Sequence, residues 1–393
     1  VMIYATRVWA SFICTSLLIP TPTLSLQANA LIAPAIATEA SKIRNKQWHL
    51  DFLGISSAHA ISRGDGVVVA VVDTGVDPHP DLRSNLLSGA NVIPGESGDG
   101  RQDRDGHGTG MGGLIAAHGQ TPDKGALGVA PEAKILPVRF KIDGPHGEAG
   151  GLAQSIGYAT QNGARVISIS STGAPGAEVQ QAVQAAAQAD IVLVAAAGNQ
   201  PDDQHIGFPA AYPNVIAVGG INRDGRHADV SVIGQEIDIV APAVEIYSTG
   251  INGGYRVGTG TSGAAAIVAG AAALIRAKYP YLPADEVAHR LTATAIDKGP
   301  PGRDDQYGYG VIDLVAALTA DVPPRGFESV PATAPDDGGP TTAADGPRAD
   351  QESSAATVRG LVTLGVLLAA GGAWGLFARR RRRSDDPPPR ISR

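Results

Sequence analysis

The sequence predicts an α/β fold with a mainly parallel sheet flanked by helices, and three observations carry that expectation. Residues 67–73 (VVVAVVD), 166–170 (VISIS), 191–196 (IVLVAA) and 215–219 (VIAVG) are short, nearly continuous apolar runs bounded by turn-forming residues. Such runs suit strands buried on both faces of a parallel sheet. Between them lie Ala- and Gln-rich stretches of helical character, 151–162 and 177–189, and later 263–279, which is apolar nearly all round and stops before Pro280. That last pattern reads as a central helix buried among other elements. Fifty glycines beside few aromatic residues point to tight turns and close backbone contacts, as in an α/β enzyme.

In chain order, residues 1–30 have the layout of a secretory signal peptide. Arg7 precedes an apolar stretch over 8–19, and Ala28-Asn29-Ala30 supplies a small-residue cleavage site. Cleavage there removes Cys14, the one cysteine of the chain, so the exported domain relies on its core and not on disulfides. Residues 31–47 form an N-terminal extension too short to be an independent chaperone domain, and it is expected to pack along the folded part. The globular domain spans 48–320. Residues 321–357 shift to Pro, Ala, Asp, Gly and Thr, a composition that reads as a disordered linker.

A transmembrane helix is expected over 358–378, where the uncharged run 361–378 is long enough to cross a hydrocarbon core of roughly 30 Å. The arginines 379–383 open a basic tail, 379–393, that stays cytoplasmic by the positive-inside rule and leaves the domain outside. A net charge of −7 argues against a general nucleic-acid binder.

The chemistry concentrates at four positions. Ser262 lies in Gly258-Thr-Gly-Thr-Ser-Gly-Ala-Ala-Ala, between a glycine-rich approach and the buried apolar run. Asp73 ends the strand VVVAVVD, where reactive groups of open parallel sheets gather. Its Asp-Thr-Gly triplet also occurs in aspartic proteases, but these need a second such aspartate, and the sequence has none. His107 is flanked by glycines in Asp105-Gly-His-Gly-Thr-Gly, whereas His118 reads as flanking a helix. The acidic residues Asp99, Asp103 and Asp105 fail as a calcium loop, because the register puts Arg101 at the first ligand position and Gly112 at the last. Asn199 follows the strand 191–196, and its amide can donate to a developing oxyanion or simply belong to a turn.

In the order Asp73, His107, Asn199, Ser262, with Val71 to Leu82, Gly128-Val-Ala-Pro131, Ser170-Ser171 and Gly260-Thr-Ser-Gly-Ala-Ala, residues 48–318 resemble the subtilisin-like serine peptidases. The resemblance implies acyl transfer, with Ser262 as nucleophile, His107 as base, Asp73 orienting the imidazole, and Asn199 with the Ser262 N–H binding the oxyanion. It further implies that Ser170, Ser171, Thr172 and Gly173 form an edge for the substrate backbone, with Ala195, Ala196, Ala197 and Gly198 as the opposite wall. No cofactor or metal is needed for this chemistry, and structural calcium remains open. With the membrane segment, tether and basic tail, the chain is similar to the mycosins, membrane-anchored peptidases of type VII secretion systems. That likeness implies a protein or peptide substrate and a secretion membrane complex as partner. Two features depart from it: the missing disulfides, and Gly263 and Ala266 beside the serine.

Overall fold

The computed structural model describes residues 39–144 and 148–325. The expected signal peptide, residues 31–38 of the extension, the linker beyond residue 325, the apolar run 361–378 and the basic tail lie outside the described residues. Among those described, no helix is long and apolar enough to cross a membrane.

Three short helices, α1 (Ile43–Lys46), α2 (Trp48–Phe52) and α3 (Ile55–His59), precede the sheet. Its strands are β1 (Val68–Asp73), β2 (Ala90–Asn91), β3 (Lys134–Arg139), β4 (Val166–Ile169), β5 (Val192–Ala196), β6 (Val215–Ile221) and β7 (Ile239–Pro242). They pair in parallel throughout, in the order β2-β3-β1-β4-β5-β6-β7. Side chains alternate between two cores, as the pleat requires. Val69, Val71, Val192, Val194, Ile216 and Val218 face one, and Ala70, Val72, Leu193, Ala195, Val215 and Ala217 face the other.

The first core is closed by α4 (His107–Ala116) and α7 (Thr261–Lys278), the second by α5 (Ala149–Gln161) and α6 (Ala177–Gln188). Helices α8 (Ala284–Ala293) and α9 (Leu314–Thr319) follow α7. A separate antiparallel hairpin pairs β8 (Ile246–Thr249) with β9 (Tyr255–Gly258) and packs on α4. The four apolar runs become β1, β4, β5 and β6. Helix α7 starts at Thr261, two residues before the apolar pattern, which puts Ser262 inside its first turn. From Gly263 to Arg276 every residue of α7 is buried.

Topology selects one place on this sheet. From β1 the chain passes through α4 to β3 on one side, then through α5 to β4 on the other. The carboxyl end of β1 is therefore a switch point, where crevices form outside an open sheet. Asp73 is its last residue.

The described part of the N-terminal segment lies against the domain. Gly125 N–H donates to the Ala40 carbonyl at 2.8 Å, and Arg44 donates to the carbonyls of Gly125 and Pro122. Gln47 clasps Leu127 through both ends of its amide and also donates to the Tyr247 carbonyl, while Trp48 Nε1 donates to Val244. His49 is fully buried with neither ring nitrogen partnered, and burial pulls it down to about 3.

Candidate active site

Helix α4 carries glycines at 108, 110, 112 and 113, each costing about 1 kcal/mol in a helix relative to alanine. Close approach explains three of them. A Cβ on Gly108 would collide with the Gly75 carbonyl oxygen, one on Gly113 with Thr249 Oγ1, and one on Gly110 would sit 2.8 Å from Arg256 Cδ. The glycine-rich stretch is a helix, packed tightly enough to bring its first residue, His107, onto the end of β1.

His107 Nδ1 lies 2.8 and 2.9 Å from the two carboxylate oxygens of Asp73. An ionised carboxylate only accepts, so Nδ1 carries the proton and Nε2 is left for the cleft. Asp73 is fully buried, and burial alone would raise its pKa. The charges of His107 and Lys141, with hydrogen bonds from His107 and the Thr74 N–H, outweigh this and hold Asp73 at about 2. Lys141 is a buried cation with Nζ 3.7 Å from Asp73 Oδ1, and it donates to the Gly144 carbonyl at 2.9 Å.

Beneath this pair a second buried carboxylate, Asp103, fixes the frame. It accepts from Thr74 Oγ1 and the N–H groups of Asp105 and Gly106 through Oδ1, and from the N–H and hydroxyl of Thr109 through Oδ2. The turn after β1 and the start of α4 are thereby tied to one side chain. Carboxylates there also suit the positive end of the helix dipole.

Ser262, the second residue of α7, has a backbone N–H that lies before the first intrahelical bond. Its hydroxyl donates to the Ser170 carbonyl at 3.4 Å, and Ser170 Oγ donates back to the Ser262 carbonyl at 3.1 Å. Asn199 is oriented by its neighbour: the Thr261 N–H, which can only donate, meets Oδ1 at 2.8 Å. That leaves Nδ2 for another acceptor. Thr261 Oγ1 also pairs with both backbone groups of Gly198. His107, Asn199 and Ser262 line one cavity of about 290 Å³.

A sequence profile described as the subtilase family matches residues 64–310, most of the chain. The chain belongs to the subtilase family. It is 40% identical to subtilisin DY of Bacillus licheniformis over 260 residues, 65% of this chain and 92% of that one. Identity to subtilisin Savinase of Lederbergia lenta is 38% over 272 residues, 69% and 97% of the two chains. Among solved structures, the MycP3 protease of the type VII (ESX-3) secretion system matches with a TM-score of 0.62 at 34% identity, covering 70% of this chain and 88% of that one. MycP1 from Mycobacterium smegmatis matches with the same TM-score at 29% identity, covering 70% and 85%. This subtilase is accordingly a subtilisin-like serine endopeptidase, with mycosins among its structural neighbours.

The walls of the subtilase cleft depart from expectation in two places. Gly173 already exchanges both backbone hydrogen bonds with Phe208, at 2.9 and 3.1 Å, so it is not open to a substrate strand. Ala195 lies inside β5, paired on both sides, while Ala196 pairs with β6 alone; with Ala197 they are 0 to 2% exposed, their side chains filling the two cores. They support the wall and do not form its surface. Ser170, Ser171 and Thr172 keep 3, 4 and 6% exposure.

Sequence reasoning missed Asp203, which accepts from Asn199 N–H at 2.8 Å and from Thr172 Oγ1 at 3.2 Å and so ties the two walls together. As to calcium, no group of three or more His, Cys, Asp or Glu side chains gathers as a metal site among the described residues. The buried carboxylate of Asp81 does not fit a cation either, since its oxygens face donors from Gln120, Ala126 and Tyr255.

Proposed function

We propose that this peptidase works through Asp73, His107 and Ser262, with Asn199 and the Ser262 N–H as oxyanion donors. The observation that carries the assignment is the grip of the buried Asp73 carboxylate on His107 Nδ1, in a cavity that His107 shares with Ser262. In this mechanism the Ser262 hydroxyl turns from the Ser170 carbonyl to His107 Nε2, gives up its proton and attacks the peptide carbonyl. Asp73 stabilises the imidazolium without taking the proton itself. The carbonyl oxygen, now negative, is met by Asn199 Nδ2 and the Ser262 N–H. His107 then protonates the leaving amine, and water repeats the sequence on the acyl-enzyme.

The setting we propose is a type VII secretion system, with the domain outside the membrane and the run 361–378 as its anchor. Support comes from neighbours whose structures are of MycP3 and MycP1 from type VII (ESX-3 and ESX-1) secretion systems, and from the five arginines after the run. A fluorophosphonate probe is expected to label the protein and to leave Ser262→Ala unlabelled, with peptide cleavage down about a millionfold, the loss known for the corresponding change in subtilisin. Labelling that persists in Ser262→Ala removes the serine from its role. In cells, secretion that survives Ser262→Ala but not deletion of the chain would make scaffolding of the complex the main task.

A further inference from the structure

The cavity beside Ser262 carries a group that acyl transfer does not use. Arg256, on β9, lines it, with its stem laid over Gly110 of α4 where no Cβ intervenes. Its Nη1 is buried and has no hydrogen-bond partner. A buried guanidinium nitrogen without an acceptor is costly, and the fork geometry of arginine matches a carboxylate. Asp105 also lines the cavity, but its Oδ1 accepts from the His107 N–H.

Glycines make the room. A Cβ on Gly258 would meet nothing within 4 Å, and one on Gly263 would come no nearer than 3.6 Å to Leu114 Cδ1. Met111, Leu114 and Ile246 supply apolar surface for the methylenes of a guest side chain. The position relative to the scissile bond follows from the lining. None of Ser170, Ser171, Thr172 or Gly198, the acyl-side residues still open to a substrate, borders the cavity, whereas His107, which must hand its proton to the leaving amine, does.

We infer that Arg256 makes this cavity a subsite for an acidic side chain on the leaving-group side, so that the enzyme favours peptides with Glu or Asp just after the cut. The inference rests on the peptidase reading and adds its substrate class. A charge-assisted hydrogen bond formed only with such substrates is expected to raise kcat/KM about tenfold over the matching amide, Gln or Asn.

The test is digestion of a diverse peptide library by the full protein, with the new amino termini read by mass spectrometry. Enrichment of Glu and Asp within the first two residues is expected, kept in Arg256→Lys, lost in Arg256→Gln and turned toward Lys and Arg in Arg256→Glu. Cleavage by the wild type without acidic enrichment, or enrichment that persists in Arg256→Gln, overturns the subsite. If Arg256→Gln does not fold, the wild-type profile and Arg256→Lys still decide. No cleavage together with no fluorophosphonate labelling overturns the peptidase reading itself, and the subsite with it.

Discussion

On the acyl side of Ser262 the structure is tied to itself: Asp203 joins Thr172 to Asn199, Thr261 holds the Asn199 amide, and Gly173 pairs with Phe208. On the proposed leaving-group side, Gly258 and Gly263 leave a cavity of about 290 Å³ that Arg256, with a guanidinium nitrogen lacking a partner, also lines. Satisfied polar groups hold positions, which is what an oxyanion site needs in order to act without reorganising. An unsatisfied one waits for its partner and selects among substrates. In the proposed mechanism the cleft keeps its rate-giving contacts in its closed half and its discriminating contact in its open half.

The largest expected break in this contrast is Asn199→Leu. It removes the amide donor while filling similar volume, and kcat should fall roughly 100- to 1,000-fold with KM little changed, the scale established for the corresponding donor in subtilisin. Steady-state kinetics on one peptide substrate measures it, and an effect confined to KM would place Asn199 in ground-state binding.

Asp203→Ala is expected to do less. It unlatches the two walls without touching a reacting atom, and the loss of charge-assisted hydrogen bonds should cost roughly tenfold in kcat/KM, with a lower melting temperature. The preference after the cut should stay as it was, since Asp203 lies on the other side. A changed preference would show that the halves are coupled.

The smallest effect concerns acid stability. Asp73 sits at about 2 against 3.8 for a free aspartate, so its stabilising contribution is complete above about pH 4 and is lost as pH falls toward 2. Lys141→Met removes one of the charges that hold it down. The stability difference between about pH 5 and pH 2, read by chemical denaturation, should then shrink by an amount on the order of 1 kcal/mol. An unchanged difference would mean that His107 and Thr74 suffice.

Much of the fold was legible because parallel strands buried on both faces need unbroken apolar runs, and β1, β4, β5 and β6 have them. Strand β3 hides its nature behind Lys134, Pro137 and Arg139. Helix α4 hides behind glycines that only the residues facing them explain. The cluster of Asp73, His107, Asn199 and Ser262 was legible because each sits in a distinctive local motif. Lys141 and Arg256 meet partners distant in sequence, Asp103 and Asp203 each join a near neighbour to a distant one, and a charged residue in a loop or a short strand reads as solvated until its surroundings are known. Gly263 stood out as an unusual neighbour of the serine, and the cavity now gives it a use.

The clasp of the N-terminal segment has a consequence for the order in which the molecule assembles. Gln47 and Trp48 bond to partners some 80 to 200 positions later in the chain, and Asp73 must wait for α7 before Ser262 stands near it. Contacts with such long sequence separation close slowly. In refolding, uptake of the fluorophosphonate probe should therefore trail the recovery of helical signal. A chain that emerges amino end first completes its cutting edge only after Ser262, far downstream of Asp73 and His107, has arrived, and so spares the segments made before it.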